Sequence, residues 1–259
     1  MSRRLAVVSA HPDDDTFGVT GVAALHADDP QFHLAAVLVT SGDRGMIADP
    51  SLATRDTLGD VREQEDRAAW RALGREPDRL EFMRYPDGEV PKVPFEELVE
   101  RIAVVLREEL PDVVVTFGPE GVTGHLDHIA VGRATTEAFH LVRKEGGGAF
   151  LRLLYNALPE SELRSFSDEL VRRGLDPIDP TQMYQPRGVP DGTIAVRVDC
   201  SSVWQRKLAA LQEHKTQATD MQFPDDMTEP ILSTETFVQA WPERHPGDPV
   251  LGDVFDGLD

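Results

Sequence analysis

The stretch Leu5-Ala6-Val7-Val8-Ser9-Ala10-His11-Pro12-Asp13-Asp14-Asp15 decides the fold expectation. It opens with a short, mainly apolar run bounded by His11-Pro12, which suits a strand buried in a parallel sheet better than a half-exposed one. Asp13 to Asp15 then precede Phe17, Val19, Val22, Ala23 and Leu25, a pattern consistent with a helix whose start is marked by acids. The unit reads strand, tight turn, helix.

The same alternation continues outward. Leu34 to Val39 leads into the loop Thr40-Ser41-Gly42-Asp43-Arg44-Gly45, which extends to about Thr57. Val61 to Leu73 predicts a helix stopped by Gly74, followed by a short strand at Leu80 to Met83 and the turn Tyr85-Pro86-Asp87-Gly88. Phe95 to Leu110 predicts a helix, Val113 to Phe117 a β-branched strand, and Gly118 to Gly124 the loop after it. Ile129 to Val142 predicts a helix and Leu151 to Tyr155 a strand. Beyond them come a helix near Glu160 to Arg173, a Pro/Gly-rich excursion, a strand at Ile194 to Val198 and a helix at Val203 to Gln217.

Strands alternating with helices of this length predict an α/β fold, a single Rossmann-like three-layer domain over residues 1–259 with a mainly parallel sheet. The core is expected over about residues 1–217. Residues 218–259, with turn residues and scattered Phe223, Phe237, Trp241 and Phe255, are expected as an irregular C-terminal extension packed over it.

The 259 residues are 40% hydrophobic and 28% charged, an ordinary balance for a folded soluble chain. A net charge of −20, with no cluster of Lys or Arg, argues against a nucleic-acid or anionic-membrane partner. One cysteine, Cys200, excludes an internal disulfide, and no segment approaches the roughly 20 apolar residues of a membrane span. These features predict a cytoplasmic enzyme acting on a small molecule. A homo-oligomer is compatible, because loops at the sheet's carboxyl edge would let a neighbouring subunit border the pocket.

In open parallel sheets, ligands bind beyond the carboxyl ends of the strands. His11 to Asp15 follows the first strand, and Gly124-His125-Leu126-Asp127-His128 follows the strand ending at Phe117. If those strands are close neighbours, the histidines and carboxylates of both segments converge on one crevice. Two imidazoles and one carboxylate suit zinc and leave a coordination position open. Such a metal lowers the pKa of bound water to roughly 7 and polarises a carbonyl, as amide hydrolysis requires. Asp13 and His125 are candidates for moving the proton. Each cluster alone also reads as helix capping, with acids meeting the N-terminal dipole and Asp127 capping a helix start.

The motifs AHPDDD at 10–15 and GHLDH at 124–128 resemble the AHPDDE and GHPDH of the PIG-L or LmbE-like family of zinc-dependent de-N-acetylases. The resemblance continues through TSGDRG at 40–45, the helix containing Val61 to Glu65, YPDG at 85–88, HKTQ at 214–217 and DVFDGL at 253–258. It implies that His11, Asp14 and His128 hold one Zn2+ per chain, with Asp13 as general base. His125 would stabilise the tetrahedral intermediate or protonate the leaving amine, and Asp127 would orient a histidine. Asp43, Arg62 and Asp87 match positions near the substrate; they read equally as a loop turn, a helix-face ion pair and a type I turn. His214 and Gln217 would reach the pocket or simply end a helix. The implied reaction is removal of an N-acetyl or related N-acyl group from an amino-sugar-containing molecule such as an N-acetylglucosamine conjugate. The alternative within the family is cleavage of a larger sugar-thiol conjugate amide.

Two departures from the family pattern concern substrate choice and loop rigidity. Asp15 stands where Glu is usual, and Leu126 where Pro is usual. Among rival readings, magnesium-dependent phosphoryl transfer fits carboxylates after the first strand, but its Asp-x-Asp-x-Thr form would need Thr near position 17, where Phe17 stands. A nucleotide-dependent oxidoreductase lacks its Gly-x-Gly-x-x-Gly. A non-catalytic metal-holding or sugar-binding module is disfavoured by the retained Asp13 and His125.

Overall fold

The computed structural model describes residues 3–146, 148–218, 225–245 and 247–258. The chain runs β1 (Arg3–Ser9), α1 (Asp14–Leu25), β2 (Phe32–Thr40), α2 (Leu58–Leu73), β3 (Arg79–Tyr85), α3 (Phe95–Glu109), β4 (Val113–Phe117) and the single turn α4 (Gly121–Gly124). It continues through α5 (Leu126–Glu145), β5 (Arg152–Asn156), β6 (Leu158–Pro159), α6 (Glu160–Arg172) and β7 (Gly188–Val189). The last elements are β8 (Ile194–Asp199), α7 (Trp204–Leu211), α8 (Asp225–Leu232) and β9 (Thr234–Trp241).

β1 is an inner strand of a seven-stranded sheet ordered β3-β2-β1-β4-β5-β9-β8. It is parallel to both neighbours, Leu5 sitting beside Leu34 on one side and Val113 on the other. The apolar run shows no polar alternation because both faces are covered. Leu5 and Val7 join one core with Val19, Trp70 and Phe237, while Ala6 and Val8 join the other with Ile102 and Phe139. The strand order turns back between β1 and β4, so the loops after these two strands flank a topological switch point. α5 lies tight against the end of β4: a Cβ on Gly132 would stand 2.4 Å from the Phe117 carbonyl oxygen, so only glycine fits there.

The mainly parallel α/β architecture agrees with the sequence expectation, with two differences. The helix expected over Val203 to Gln217 ends at Leu211, and only a three-residue 3-10 turn follows at Lys215–Gln217. His214 leaves the helical path there, with φ −78° and ψ 60°, and its Nε2 stands 2.9 Å from Thr16 Oγ1.

The second difference is in the segment after 217. Rather than lying wholly as an irregular extension, it supplies α8 and then β9, which is inserted antiparallel between β5 and β8. The Glu235 carboxylate of β9 accepts from Gly21 N at 2.7 Å and Val22 N at 2.9 Å, and pairs with Lys207 Nζ at 2.6 Å. Beyond Trp241 the chain is irregular, with Val254 and Phe255 buried against the α1 side of the sheet. Phe223 lies outside the described residues. Among the described residues, no helix is long and apolar enough to cross a membrane.

Candidate metal centre and active site

The loops after β1 and β4 bring His11, Asp14 and His128 together. His11 Nδ1 lies 3.2 Å from Asp14 Oδ2 and 3.3 Å from His128 Nε2, and Asp14 Oδ1 lies 3.3 Å from His128 Nε2. Zinc–ligand bonds of about 2.0–2.1 Å at tetrahedral angles hold ligand atoms roughly 3.3 Å apart. The three groups therefore fit a tetrahedral divalent metal in spacing and in donor type.

The remaining ring nitrogens fix the tautomers. His128 Nδ1–H donates to the Gly121 carbonyl at 2.9 Å, leaving the lone pair on Nε2. His11 Nε2 faces Asp87 Oδ1 at 3.1 Å and Asp127 Oδ2 at 3.4 Å, leaving its lone pair on Nδ1. In both rings the free lone pair is on the nitrogen that faces the other ligands. Carboxylates or carbonyls behind metal-binding imidazoles hold the ring and raise its basicity.

Two other groupings bring possible ligand atoms within 4.8 Å of one another: His11, His125 and His128, and His11, Asp87 and Asp127. The second lies on the Nε2 side of His11, where the carboxylates accept its proton. In the first, His125 Nδ1 accepts from Asp127 N at 3.1 Å, which puts the His125 proton on Nε2. Asp14 completes the tighter set.

The charges respond to burial and to each other. Burial lowers the His11 pKa, but hydrogen bonds to Asp127, Asp14 and Asp87 outweigh it and leave the ring well above its usual value, so a cation binding at Nδ1 would displace the proton there. Burial raises Asp14, yet His128 and His11 hold it below the usual carboxylate range. Burial pushes His128 down to about 4, and lowers His125, where the His11 charge adds to the effect. Asp87 is held at about 2, because its bonds to His11 and to Arg44 N overcome burial.

Asp13 stands beside this triangle in a strained conformation, φ 120° and ψ −34°, outside the usual range of a non-glycine residue. Arg62 holds it there. One guanidinium nitrogen, Nη2, bonds Asp13 Oδ2 at 2.9 Å and the Pro12 carbonyl at 2.6 Å, while Nη1 bonds the Gly42 carbonyl at 3.0 Å. Burial pushes the Asp13 carboxyl up to about 7 despite the Arg62 charge.

The other residues singled out in the sequence fall around this centre. Asp87 takes Arg44 N at 2.8 Å on its second oxygen, so both of its oxygens are engaged within the protein. Asp43 faces Asp87 N at 3.4 Å. Gln217 clamps the loop after β2 through the Met46 carbonyl at 2.8 Å. His214 is buried behind α1 and touches Thr16 rather than the metal ligands. Asp15, which takes the usual position of Glu, points into the core, where it accepts from Trp70 Nε1 at 3.0 Å and faces Asp66.

Sequence reasoning missed Tyr184 and Arg187. Tyr184 brings its ring to 5.1 Å from the His125 ring, and Arg187 N donates to the Val122 carbonyl at 2.6 Å. Both come from the Pro/Gly-rich excursion before β7, which has no periodicity to mark them.

A family model described as GlcNAc-PI de-N-acetylase, PIG-L, matches residues 6–139. A 1D-myo-inositol 2-acetamido-2-deoxy-alpha-D-glucopyranoside deacetylase of Geodermatophilus obscurus is 32% identical over 99% of this chain and 98% of its own length. Among solved structures, the N,N'-diacetylchitobiose deacetylase of Pyrococcus horikoshii superposes with a TM-score of 0.60, 24% identity and coverage of 92% of this chain and 83% of that one. The 4-carboxy-2-hydroxymuconate hydratase of Pseudomonas putida superposes almost as well, with a TM-score of 0.59 at 20% identity over 95% and 99% of the two chains. The fold therefore hosts more than one reaction, and the chemistry has to be argued from the site.

Proposed function

Because the chain belongs to the PIG-L family of GlcNAc-PI de-N-acetylases, we propose that it hydrolyses the N-acetyl group of an N-acetylglucosamine-containing small molecule, with one zinc ion per chain. The inositol glycoside named for the curated relative is the first substrate to try. The observation that carries the reading is the triangle of His11 Nδ1, Asp14 and His128 Nε2, 3.2–3.3 Å on a side, with Asp13 held beside it by Arg62.

His11, Asp14 and His128 would hold a zinc ion, which when bound would supply Lewis acidity toward a water and the amide carbonyl. Asp87 and Asp127 keep His11 in the tautomer that presents Nδ1. Asp13 takes a proton from the attacking water as its oxygen bonds to the acetyl carbon. His125, with its proton on Nε2, donates a hydrogen bond to the carbonyl oxygen as negative charge grows there. The C–N bond then breaks, the proton on Asp13 passes to the departing nitrogen, and acetate and the free amine leave. Asp43, which faces the backbone of Asp87 beside His11, is assigned to bond sugar hydroxyls. Arg62, Gln217 and His214 act by holding the loops in place.

We treat residues 1–259 as one domain, since β9 lies inside the sheet begun by β1. Incubation with the N-acetylglucosaminyl inositol and with N,N'-diacetylchitobiose, assayed for acetate and primary amine, tests the reading. Release of both products in equal amounts is expected; release of neither from any N-acetyl amino sugar overturns it.

A further inference from the structure

Arg187 is a half-buried arginine whose side chain bonds nothing among the described residues. No hydrogen bond or ion pair joins its side chain to any described residue, and its Nε is sealed from solvent without an acceptor. Other arginines around the site bond protein groups: Arg62 reaches Asp13 and two carbonyls through its terminal nitrogens, although its Nε is likewise buried without an acceptor, Arg84 reaches Glu63, and Arg55 the carbonyls of Asp43 and Gly45. In a chain with 46 acidic against 26 basic side chains, a carboxylate partner was readily available. A guanidinium carries five donors in a planar fork, and burying the Nε donor without an acceptor is costly.

The fork lies against Gly124, the residue before His125. A Cβ on Gly124 would lie 2.1 Å from Arg187 Cζ and 2.2 Å from Nη2, so the guanidinium occupies the space that any other residue at 124 would fill. Gly124 also has φ +72°, which favours glycine. The bond from Arg187 N to the Val122 carbonyl anchors the segment, and the Tyr184 ring leans on His125. The residue after Gly124 is His125, so the open donors flank the group that faces the scissile amide.

Resting on the deacetylase reading above, we infer that Arg187 determines specificity by binding an oxyanion, a phosphate or carboxylate, on the amino-sugar substrate. Planar bidentate pairing with such a group satisfies the fork and favours charged over neutral amino sugars. Tyr184 forms the adjoining wall. Arg187 takes no part in bond breaking, so its removal affects binding of the charged substrate rather than turnover.

Binding of the deacetylated products tests this without turnover. The zinc-loaded protein is titrated calorimetrically with glucosamine, glucosamine 1-phosphate, glucosamine 6-phosphate and the 3-O-lactyl ether of glucosamine. At least one charged sugar is expected to bind about tenfold tighter than glucosamine. Arg187→Gln should abolish that preference and Arg187→Lys should keep part of it, while all three proteins bind glucosamine equally. Equal binding of all four sugars by the parent, or an undiminished preference in Arg187→Gln, overturns the assignment. If the preference depends on Arg187 but no N-acetyl sugar releases acetate, the oxyanion site stands and the deacetylase reading fails.

Discussion

Arg62 Nη2 lies 2.9 Å from Asp13 Oδ2, and the same guanidinium bonds the Pro12 and Gly42 carbonyls. One buried side chain on α2 thereby ties the loop after β1 to the loop after β2 and fixes the proposed base in its strained backbone conformation. A lysine has one ammonium and cannot reproduce this fork. Arg62→Lys is expected to lower kcat by about 100-fold, and Asp13→Asn by about 10²–10⁴-fold, both with zinc content unchanged. Steady-state kinetics with metal analysis checks this; a parental kcat in either variant would remove the pair from the mechanism.

His125 and His11 separate turnover from metal holding. The His125 ring keeps its proton on Nε2 and stands outside the tight ligand triangle. His125→Gln should retain one zinc per chain and lose about 10²–10³-fold in kcat. His11→Ala should lose both the metal and the activity. Loss of zinc from His125→Gln would make His125 a ligand and displace Asp14 from that role.

Behind the proposed metal ligands, Asp15 and Asp66 form a buried acid pair whose titration weakens the fold as pH rises. Burial, with the neighbouring carboxylate, lifts Asp66 well above its usual 3.8. Since the folded state binds this proton more tightly than the unfolded chain, the contribution is complete below about pH 4 and is lost as pH rises through the folded value. Asp66→Asn removes the titration and keeps a donor toward Asp15. Its melting temperature relative to the parent should therefore increase from pH 5 to pH 8; a difference independent of pH would contradict the shared-proton account.

The Lys207–Glu235 pair, 2.6 Å long and buried on both sides, bonds α7 to β9. Removing one partner strands the other charge, so Lys207→Met should lower stability by about 3–5 kcal/mol in urea unfolding. Adding Glu235→Leu should restore only part of it, because Gly21 N and Val22 N then lose their acceptor. Full parental stability in Lys207→Met would show that the pair contributes nothing.

The fold was readable wherever local pattern and tertiary placement agree. Leu5 to Ala10 and Val113 to Phe117 are apolar because both faces of those strands are covered, and the polar groups after them lie at the switch point that parallel sheets leave open. β9 was not readable. Its Glu235 and Thr236 are buried against Lys207 and the Ala157 carbonyl, so the strand presents polar residues where an inner strand usually shows Val or Ile. The end of α7 was missed because His214 turns away to meet Thr16, a partner 198 residues distant. Within the site, the short-range motifs carried His11, Asp14 and His128, while Arg187 was hidden because its importance comes from resting on Gly124, which no local pattern records.

Metal removal and return tests the central claim most directly. The protein is stripped with a strong chelator, dialysed, and assayed for acetate release from an N-acetylglucosamine conjugate before and after addition of one equivalent of zinc. Loss of activity on stripping and its recovery at about one zinc per chain are predicted. Undiminished acetate release from fully metal-free protein would contradict the account.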